Sequence, residues 1–348
     1  MIKVLIVDDS RVIRDYLVYI VASNPVFRVI DVAADGEAAL VCIEKQRPDV
    51  ILMDIHMPKM DGLEVTRRIM SSPHPIPIVI CTASIHFGEV HTAMYALEAG
   101  ALAVLRKPSG LTDPRAEIEG AAILDALKLM SEVKVVRRWR PLASATPKAP
   151  PKPGTASDRP EIVAIGASTG GPAAILQILS GLPAGFPVPI LVVQHISSGF
   201  TDGFADWLSA TAGLPVHVAR DGVLPLAGNV YVAPDDKHLR VDHSGILRTG
   251  SDGLCHGSRP SVGVLFRSVV EHYGRRAVGI LLTGMGRDGA EELKLMSDRG
   301  ALTMAQDEES CVVFGMPAEA IKQRAPKHVC PPHEIANLLV SSMMSPRL

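Results

Sequence analysis

The segment EIVAIGASTGGPAAILQIL, residues 161–179, decides the fold of the second half of the chain. Its apolar run at 162–167 predicts a buried strand, a glycine-rich turn carrying Ser168 follows, and the remaining residues have helical spacing. A strand, a tight turn and a helix are the repeating unit of a parallel α/β sheet. The turn can bind a nucleotide phosphate, mount Ser168 as a nucleophile, or use Ser168 only as a helix N-cap.

Two details of the turn argue against a dinucleotide site. Its glycines are spaced G-x-x-x-G-G and not G-x-G-x-x-G. The next apolar run, PILVVQH, ends in Gln194 and His195, where such a site would need an acidic residue for the ribose. By contrast, GASTG fits the G-x-S-x-G elbow, in which Gly166 and Gly170 allow the tight turn that exposes a serine hydroxyl. Amides at the start of the following helix can then bind an oxyanion.

A nucleophilic serine needs a general base, and the base needs an acid that orients it. His195 stands at the end of one predicted strand, and Asp288 lies in the glycine-flanked loop after another, AVGILLTG. Alone, each residue is typical of an ordinary strand end or turn. Together with Ser168, they are predicted at the carboxyl ends of parallel strands, on one edge of one sheet. Their order in the chain, Ser, His, Asp, differs from that of α/β-hydrolases, so the elbow does not imply that fold.

Short apolar runs also alternate with helical patterns over residues 1–120. Five of these runs predict a doubly wound parallel sheet in this part of the chain: KVLIV, RVIDVA, DVILMD, PIVICTA and ALAVLRK. Polar residues stand where the strands end, which is the ligand-binding edge of such a sheet. They are Asp8, Asp9, Asp54, Thr82 and Lys107.

The aspartates of this set would repel one another unless a cation lay among them. Clustered carboxylate oxygens suit Mg²⁺, and a metal ion with a lysine can neutralise a phosphoryl group that arrives on one aspartate. Any one of the aspartates could instead be a loop residue or a helix cap. The presence of the whole set at successive strand ends favours a site that accepts a phosphoryl group.

The composition limits the class of protein. A length of 348 residues predicts two domains, and a net charge of −2 gives no basic field for nucleic acid. The second half also lacks a helix-turn-helix pattern with a basic recognition face. There is no cleavable signal pattern and no membrane-spanning apolar stretch, and the five scattered cysteines are typical of reduced cytosolic thiols. We therefore expect a cytoplasmic protein that is not inserted in a membrane and binds no nucleic acid.

A proline-rich stretch separates the two predicted domains. PLASATPKAPPKPGTASDRP, residues 141–160, has six prolines and almost no large apolar side chain, so it predicts an extended connector. The helical pattern before it, at 116–139, can belong to the first domain or lead into the linker. We place the first domain at 1–125, the linker at 126–160 and the second domain at 161–348.

The first domain resembles the receiver domain of response regulators. The segments that carry the resemblance are VLIVDDS, MDIHMPKMDGLE, CTAS and RKP. It implies that Asp54 accepts a phosphoryl group, that Asp8, Asp9 and Asp54 surround Mg²⁺, and that Thr82 and Lys107 bind the phosphoryl oxygens. One position departs from the family pattern. Receivers often have an aromatic residue three positions before the lysine, but here this residue is Val104, so aromatic rotamer switching is not carried over.

The second domain resembles the catalytic domain of the chemotaxis protein-glutamate methylesterases, the CheB family. The matching segments are IGASTGG, VVQHISSGFTDGFADWL, VYVAPDDKHL, RPSVGVLF, LLTGMGRDGA and AQDEESCVVFGMP. The resemblance implies that Ser168 is the nucleophile, His195 the base and Asp288 the acid. It also implies that groups at Thr169 and Met285 help hold the histidine and the oxyanion. Gly263 and Ala227 depart from the family, which often has aspartate and proline there.

These resemblances imply two doubly wound parallel-sheet domains, a flavodoxin-like receiver and a Rossmann-like methylesterase. The implied activity is phosphorylation-activated hydrolysis of glutamate γ-methyl esters on methyl-accepting chemotaxis receptors, with deamidation of receptor glutamines in related members. A chemotaxis histidine kinase would donate the phosphoryl group. Mg²⁺ would serve phosphorylation, and ester hydrolysis would need no cofactor. Two alternatives stay open: a receiver-controlled esterase for another ester, and a signalling protein without catalysis.

Overall fold

The computed structural model describes residues 1–82, 87–110, 113–133 and 159–344, with the side chains of 87–91 and 344 left aside. The chain forms two compact units, residues 1–143 and 144–348. The predicted linker falls largely outside the described residues, because residues 134–158 do. Each unit is described by itself.

The first unit alternates strands and helices without exception. Its strands are β1 (Ile2–Val7), β2 (Phe27–Ala33), β3 (Val50–Met53), β4 (Ile78–Thr82) and β5 (Ala103–Arg106). Its helices are α1 (Arg11–Ala22), α2 (Gly36–Lys45), α3 (Gly62–Ser71), α4 (Phe87–Ala99) and α5 (Ala116–Ser131).

The five strands form one parallel sheet in the order β2-β1-β3-β4-β5. Every residue of β3 and β4 is buried, because helices cover both faces of a doubly wound sheet. This order confirms the predicted flavodoxin-like fold. The strand order reverses at β1, so the carboxyl ends of β1 and β3 border the ligand-binding crevice.

Helix α5 shows to which unit the helical pattern at 116–139 belongs. It packs on β3 and β4 through an apolar stripe that includes Ile123 and Leu127, both fully buried. The helical pattern therefore belongs, as far as Ser131, to the first unit. The domain boundaries at 125 and 160 stay a prediction.

The second unit is larger. Its strands are β6 (Ile162–Ala167), β7 (Ile190–Gln194), β8 (Val216–Val218), β9 (Val230–Val232), β10 (His238–Val241), β11 (Leu247–Gly250), β12 (Ala277–Leu281), β13 (Leu302–Gln306) and β14 (His328–Cys330). Its helices are α6 (Gly171–Ser180), α7 (Thr201–Ala212), α8 (Val262–Tyr273), α9 (Ala290–Asp298), α10 (Met316–Lys322) and α11 (Pro332–Met344).

Seven of these strands form a parallel sheet in the order β14-β13-β12-β6-β7-β9-β8. Strand β6 is fully buried and lies between β12 and β7, so the chain moves to one side of β6 first and to the other side later. This reversal is the topological switch point at which α/β sheets bind ligands. The carboxyl ends of β12, β6 and β7 therefore lie side by side, and each precedes one of the predicted catalytic residues.

The sequence prediction misses several strands of the second unit. Strands β8 and β14 have three residues each and β13 has five, so their apolar runs are short. The antiparallel pair β10 and β11 stands outside the main sheet, and its strands have four residues each. Among the described residues, no helix is long and apolar enough to span a membrane.

Candidate active site and acidic cluster

Ser168 stands directly after β6, in the turn that leads to α6. Its amide donates to the carbonyl of Thr283 (3.0 Å), and its own carbonyl accepts from the amide of Gly171 (2.8 Å). The turn is possible because Gly170 has a φ of 78°, a left-handed conformation that strains other residues. Gly170 is also the N-cap of α6, which has no side-chain cap hydrogen bond. The alternative that Ser168 only caps the helix is therefore wrong.

His195 lies beside Ser168 because β6 and β7 are paired. Ala167 is opposite Gln194, and the amide of His195 donates to the carbonyl of Ala167 (2.9 Å). The buried side-chain amide of Gln194 then donates to the carbonyls of both Ser168 and His195, at 2.8 Å each. One side chain thus fixes the backbone of both residues.

The imidazole of His195 is joined to Asp288. Its Nε2 lies 3.0 Å from Oδ2 of Asp288, which is 3% exposed. When the ring is neutral, a proton on Nε2 is donated to this carboxylate, and Nδ1 is left as a proton acceptor. Among the described residues, Oγ of Ser168 makes no hydrogen bond with the ring. Such bonds often form only when a substrate is bound.

Asp288 is held by the first turn of α8. It accepts from Oγ of Ser261 (2.8 Å) and from the amides of Val262 (2.7 Å) and Gly263 (2.9 Å). Burial raises the pKa of Asp288, but the hydrogen bond and charge of His195, with these donors, outweigh burial and bring the pKa below its ordinary value. Asp288 is therefore a carboxylate at neutral pH and can orient the imidazole.

Thr169 and Met285 flank the serine. Neither amide donates a hydrogen bond to another described residue. The segment before Met285 approaches closely, since a Cβ on Gly284 would lie only 2.6 Å from Cβ of Ser168. Met285 directly follows Gly284 and is 57% exposed. The elbow thus has two uncommitted amides in its neighbourhood.

The two departures from the family pattern lie outside Ser168, His195 and Asp288. A Cβ at Gly263 would lie 2.7 Å from Oε2 of Glu292, a buried residue of α9 that pairs with Arg267 (2.8 Å). Glu292 therefore fills the space that a side chain at position 263 would need. Ala227 lies in an exposed turn, where its carbonyl accepts from the side chain of Asn229 (3.0 Å).

The thiol of Cys311, in the loop that contacts the elbow, is a poor alternative nucleophile. All five cysteines are free. Cys311 precedes Val312, whose amide donates to the hydroxyl of Thr283 beside the elbow. Burial raises the pKa of Cys311 to about 12, so its thiol is neutral at physiological pH. Ser168 is the nucleophile that the geometry supports.

In the first unit, the predicted acidic residues come together. Asp8, Asp9 and Asp54 each offer a carboxylate oxygen, and these atoms lie within 4.8 Å of one another. Nζ of Lys107 lies 2.6 Å from Asp8 and 2.8 Å from Asp54. Burial lowers the pKa of Lys107, but the two carboxylates outweigh burial and raise it above its ordinary value. The lysine is therefore a permanent cation in this cluster.

This cluster fits a magnesium ion. Its ligands would be hard carboxylate oxygens on one edge of the sheet, which is the donor set that Mg²⁺ prefers. Thr82 is the last residue of β4, and its buried Oγ1 has no hydrogen-bond partner among the described residues. A buried hydroxyl without a partner is costly, so its position suits a ligand that completes the site.

Sequence reasoning missed three residues that position this machinery. In the sequence, Gln194 argues only against a dinucleotide site, because it is not acidic. No sequence pattern marks Thr283 as functional. Ser261 has a weak signal, because a serine before an apolar run predicts a helix N-cap, and it does cap α8.

Comparison with known proteins identifies relatives of both units. The sequence model of the CheB methylesterase family matches residues 163–339, and that of the response regulator receiver domain matches residues 4–119. The chain is 50% identical to a protein-glutamate methylesterase/protein-glutamine glutaminase of Nitrosospira multiformis, over 98% of this chain and 97% of the relative. It is 51% identical to one from Syntrophus aciditrophicus, over 98% of both chains.

One solved structure supports the fold of the second unit. The CheB methylesterase catalytic domain of Thermotoga maritima superposes with a TM-score of 0.51 and 37% identity. The match covers 52% of this chain and 97% of that domain.

The environment of Asp288 predicts the effect of Asp288→Asn on stability. The amide group cannot accept from all four donors around it, so the variant should lose about 2–3 kcal/mol of unfolding free energy at pH 7. Because the pKa of Asp288 is lowered in the fold, this loss should be constant above the ordinary value of 3.8 and shrink as the pH falls through the folded pKa. Urea unfolding of both proteins at pH 7 and pH 3 measures it. An equal difference at both pH values would contradict the assignment.

Proposed function

The chain belongs to the CheB methylesterase family, with a receiver domain before the methylesterase domain, and on that premise we propose that it is a receiver-controlled protein-glutamate methylesterase and protein-glutamine glutaminase. The observation that carries the proposal is the His195–Asp288 hydrogen bond beside Ser168, at the switch point of the sheet. The substrates would be methyl-accepting chemotaxis receptors.

The first half of the reaction forms an acyl-enzyme. Nδ1 of His195 takes the proton of the Ser168 hydroxyl as Oγ attacks the ester carbon of a glutamate γ-methyl ester. Asp288 accepts from Nε2 and stabilises the imidazolium that results. The uncommitted amides of Thr169 and Met285 serve as donors to the developing oxyanion. The imidazolium then gives its proton to the leaving oxygen, and methanol departs.

The second half of the reaction releases the product. His195 takes a proton from water, the hydroxide attacks the acyl group, and the proton returns to Oγ of Ser168 as glutamate leaves. A glutamine substrate follows the same path with ammonia as the leaving group. Every step uses groups of the chain and water, so ester hydrolysis needs no cofactor.

In the first unit, Asp54 would accept a phosphoryl group from a chemotaxis histidine kinase. Asp8, Asp9 and Asp54 would hold Mg²⁺, which supplies positive charge against the incoming phosphoryl oxygens. Lys107 would pair with one of these oxygens, and the Thr82 hydroxyl would donate to another. The phosphoryl group would therefore draw Lys107 and Thr82 into new bonds.

Phosphorylation of Asp54 would control the esterase by favouring an active arrangement of the protein. A phosphoryl group shifts activity only by stabilising the active state more than the inactive one, by about 1.4 kcal/mol for each tenfold change. Among the described residues, the group of carboxylates that could hold a metal ion beside a phosphoacceptor lies in the first unit. The receiver is therefore the part that responds to the signal.

Replacing the nucleophile and the base tests the mechanism. Ser168→Ala and His195→Gln should each lower kcat for methanol release from methylated receptor by about 10³-fold or more. The double variant should be hardly worse than either, because residues that act as one unit are strongly non-additive. His217→Gln, at an exposed residue of β8, is the matched control and should keep wild-type turnover. Losses that multiply fully in the double variant would show that His195 does not serve Ser168.

A phosphodonor tests the control. A small phosphodonor with Mg²⁺ should raise methanol release by the full-length protein, and Asp54→Asn should abolish this rise while keeping basal activity. Asp15→Asn, an exposed aspartate of α1, should respond like the wild type. A response by Asp54→Asn would place the phosphoryl group elsewhere.

A further inference from the structure

Thr283 joins the three segments that surround the nucleophile. It stands two residues beyond β12, is 1% exposed, and accepts from the amide of Ser168 through its main-chain carbonyl (3.0 Å). Its hydroxyl donates to the carbonyl of Thr169 (2.9 Å) and accepts from the amides of Val312 (3.0 Å) and Val313 (2.9 Å). One hydroxyl has one donor and two acceptor positions. The two amides fill the acceptor positions, so the single proton can be donated to only one of the acceptors around it.

The direction of the hydroxyl proton follows from its neighbours. Two other acceptors lie around the hydroxyl, the carbonyl of Val313 at 3.3 Å and the thiol of Cys311, which is a weak acceptor. The shorter contact is with Thr169. The proton of Thr283 therefore fixes the carbonyl of the residue that follows the nucleophile.

The segment held by Thr283 packs against the elbow. A Cβ on Gly170 would lie 2.5 Å from Cβ of Val312, so this segment and the turn after Ser168 touch directly. Gly284 accepts from the amides of Gly315 and Met316, at 3.1 and 2.8 Å. The loop after β13 is thus tied both to the elbow and to the strand end that leads to Met285.

We infer that Thr283 is a positioning residue for the reaction, because its hydroxyl sets the distance between the Ser168 elbow and the Gly284–Met285 segment. It touches neither substrate nor reacting atoms, and it acts through the peptide groups on either side of the nucleophile. Loss of the hydroxyl would free Thr169 and the loop after β13 to shift. A displacement of about 1 Å in such a site can cost about 10²-fold in rate. The inference rests on the proposed function for its substrate and for Ser168 as the nucleophile.

The test compares two buried threonines, Thr283 after β12 and Thr303 in β13. Thr283→Val removes the hydroxyl with little change of volume, and Thr283→Ser keeps it. Thr303→Val is the matched control, because Thr303 on β13 is fully buried and its hydroxyl also donates to a carbonyl, of Ala325 (2.8 Å), and accepts from an amide, of Lys327 (3.2 Å). Both valine variants lose a buried hydroxyl, but only Thr283 bonds to the elbow.

Four quantities are measured on the full-length proteins. These are the melting temperature, kcat and KM for methanol release from methylated receptor, and the rate at which a fluorophosphonate labels Ser168. Thr283→Val should lower kcat and the labelling rate by about 10- to 100-fold, with KM changed by less than about threefold. Thr283→Ser should restore most of both rates. Thr303→Val should lower the melting temperature to a similar degree and keep both rates.

Two results would overturn the inference. One is wild-type kcat and labelling in folded Thr283→Val, and the other is an equal loss of rate in Thr303→Val, which would reveal general destabilisation. If Thr283→Val does not fold, Thr283→Ala is measured in its place, because it puts no methyl group against the carbonyl of Thr169. The proposed function is tested separately. If the wild type is labelled but releases no methanol, methylated receptor is not its substrate. The labelling rates of the variants then still decide the role of Thr283.

Discussion

The burial of the Asp288 charge is the constraint on which the active site depends. An ionised carboxylate that is removed from water must be paired and hydrogen-bonded, or it becomes neutral. Here the first turn of α8 supplies two amides and Ser261, and β7 supplies His195. Satisfying one charge therefore ties α8, the loop after β12 and the end of β7 into a single arrangement. The same bonds that stabilise the fold leave His195 oriented toward the neighbouring strand.

The first unit stabilises its buried carboxylates in a different way. Asp8 and Asp54 are not surrounded by a helix N-terminus but share the ammonium group of Lys107. This pairing leaves the buried hydroxyl of Thr82 without a hydrogen-bond partner among the described residues. A complete set of hydrogen bonds suits Asp288, because it orients a single histidine. An incomplete set suits a cluster that must accept a metal ion and a phosphoryl group.

The topology of the two parallel sheets places the residues of each site next to one another. In each unit the strand order reverses beside a central strand, β1 in the first and β6 in the second, and the functional residues follow the strands around that point. Residues far apart in the chain, such as Ser168 and Thr283, become neighbours because β6 pairs directly with β12. The fold supplies adjacency, and the loops after the strands supply the chemistry.

The sequence by itself predicted the parallel α/β class of both units, their most apolar strands and the candidate reactive residues. Fully apolar runs such as 162–167 predict buried strands, and polar residues directly after them mark the ligand edge of the sheet. The short strands β8 and β14, the extent of α5 and the positioning residues were decided only by the tertiary structure. Gln194 and Thr283 bond to peptide groups of other strands, and no local pattern encodes a bond that exists only after the sheet has formed. Ser168 illustrates the difference. The sequence identifies it as a candidate nucleophile or helix cap, but whether it caps the helix depends on where α6 begins.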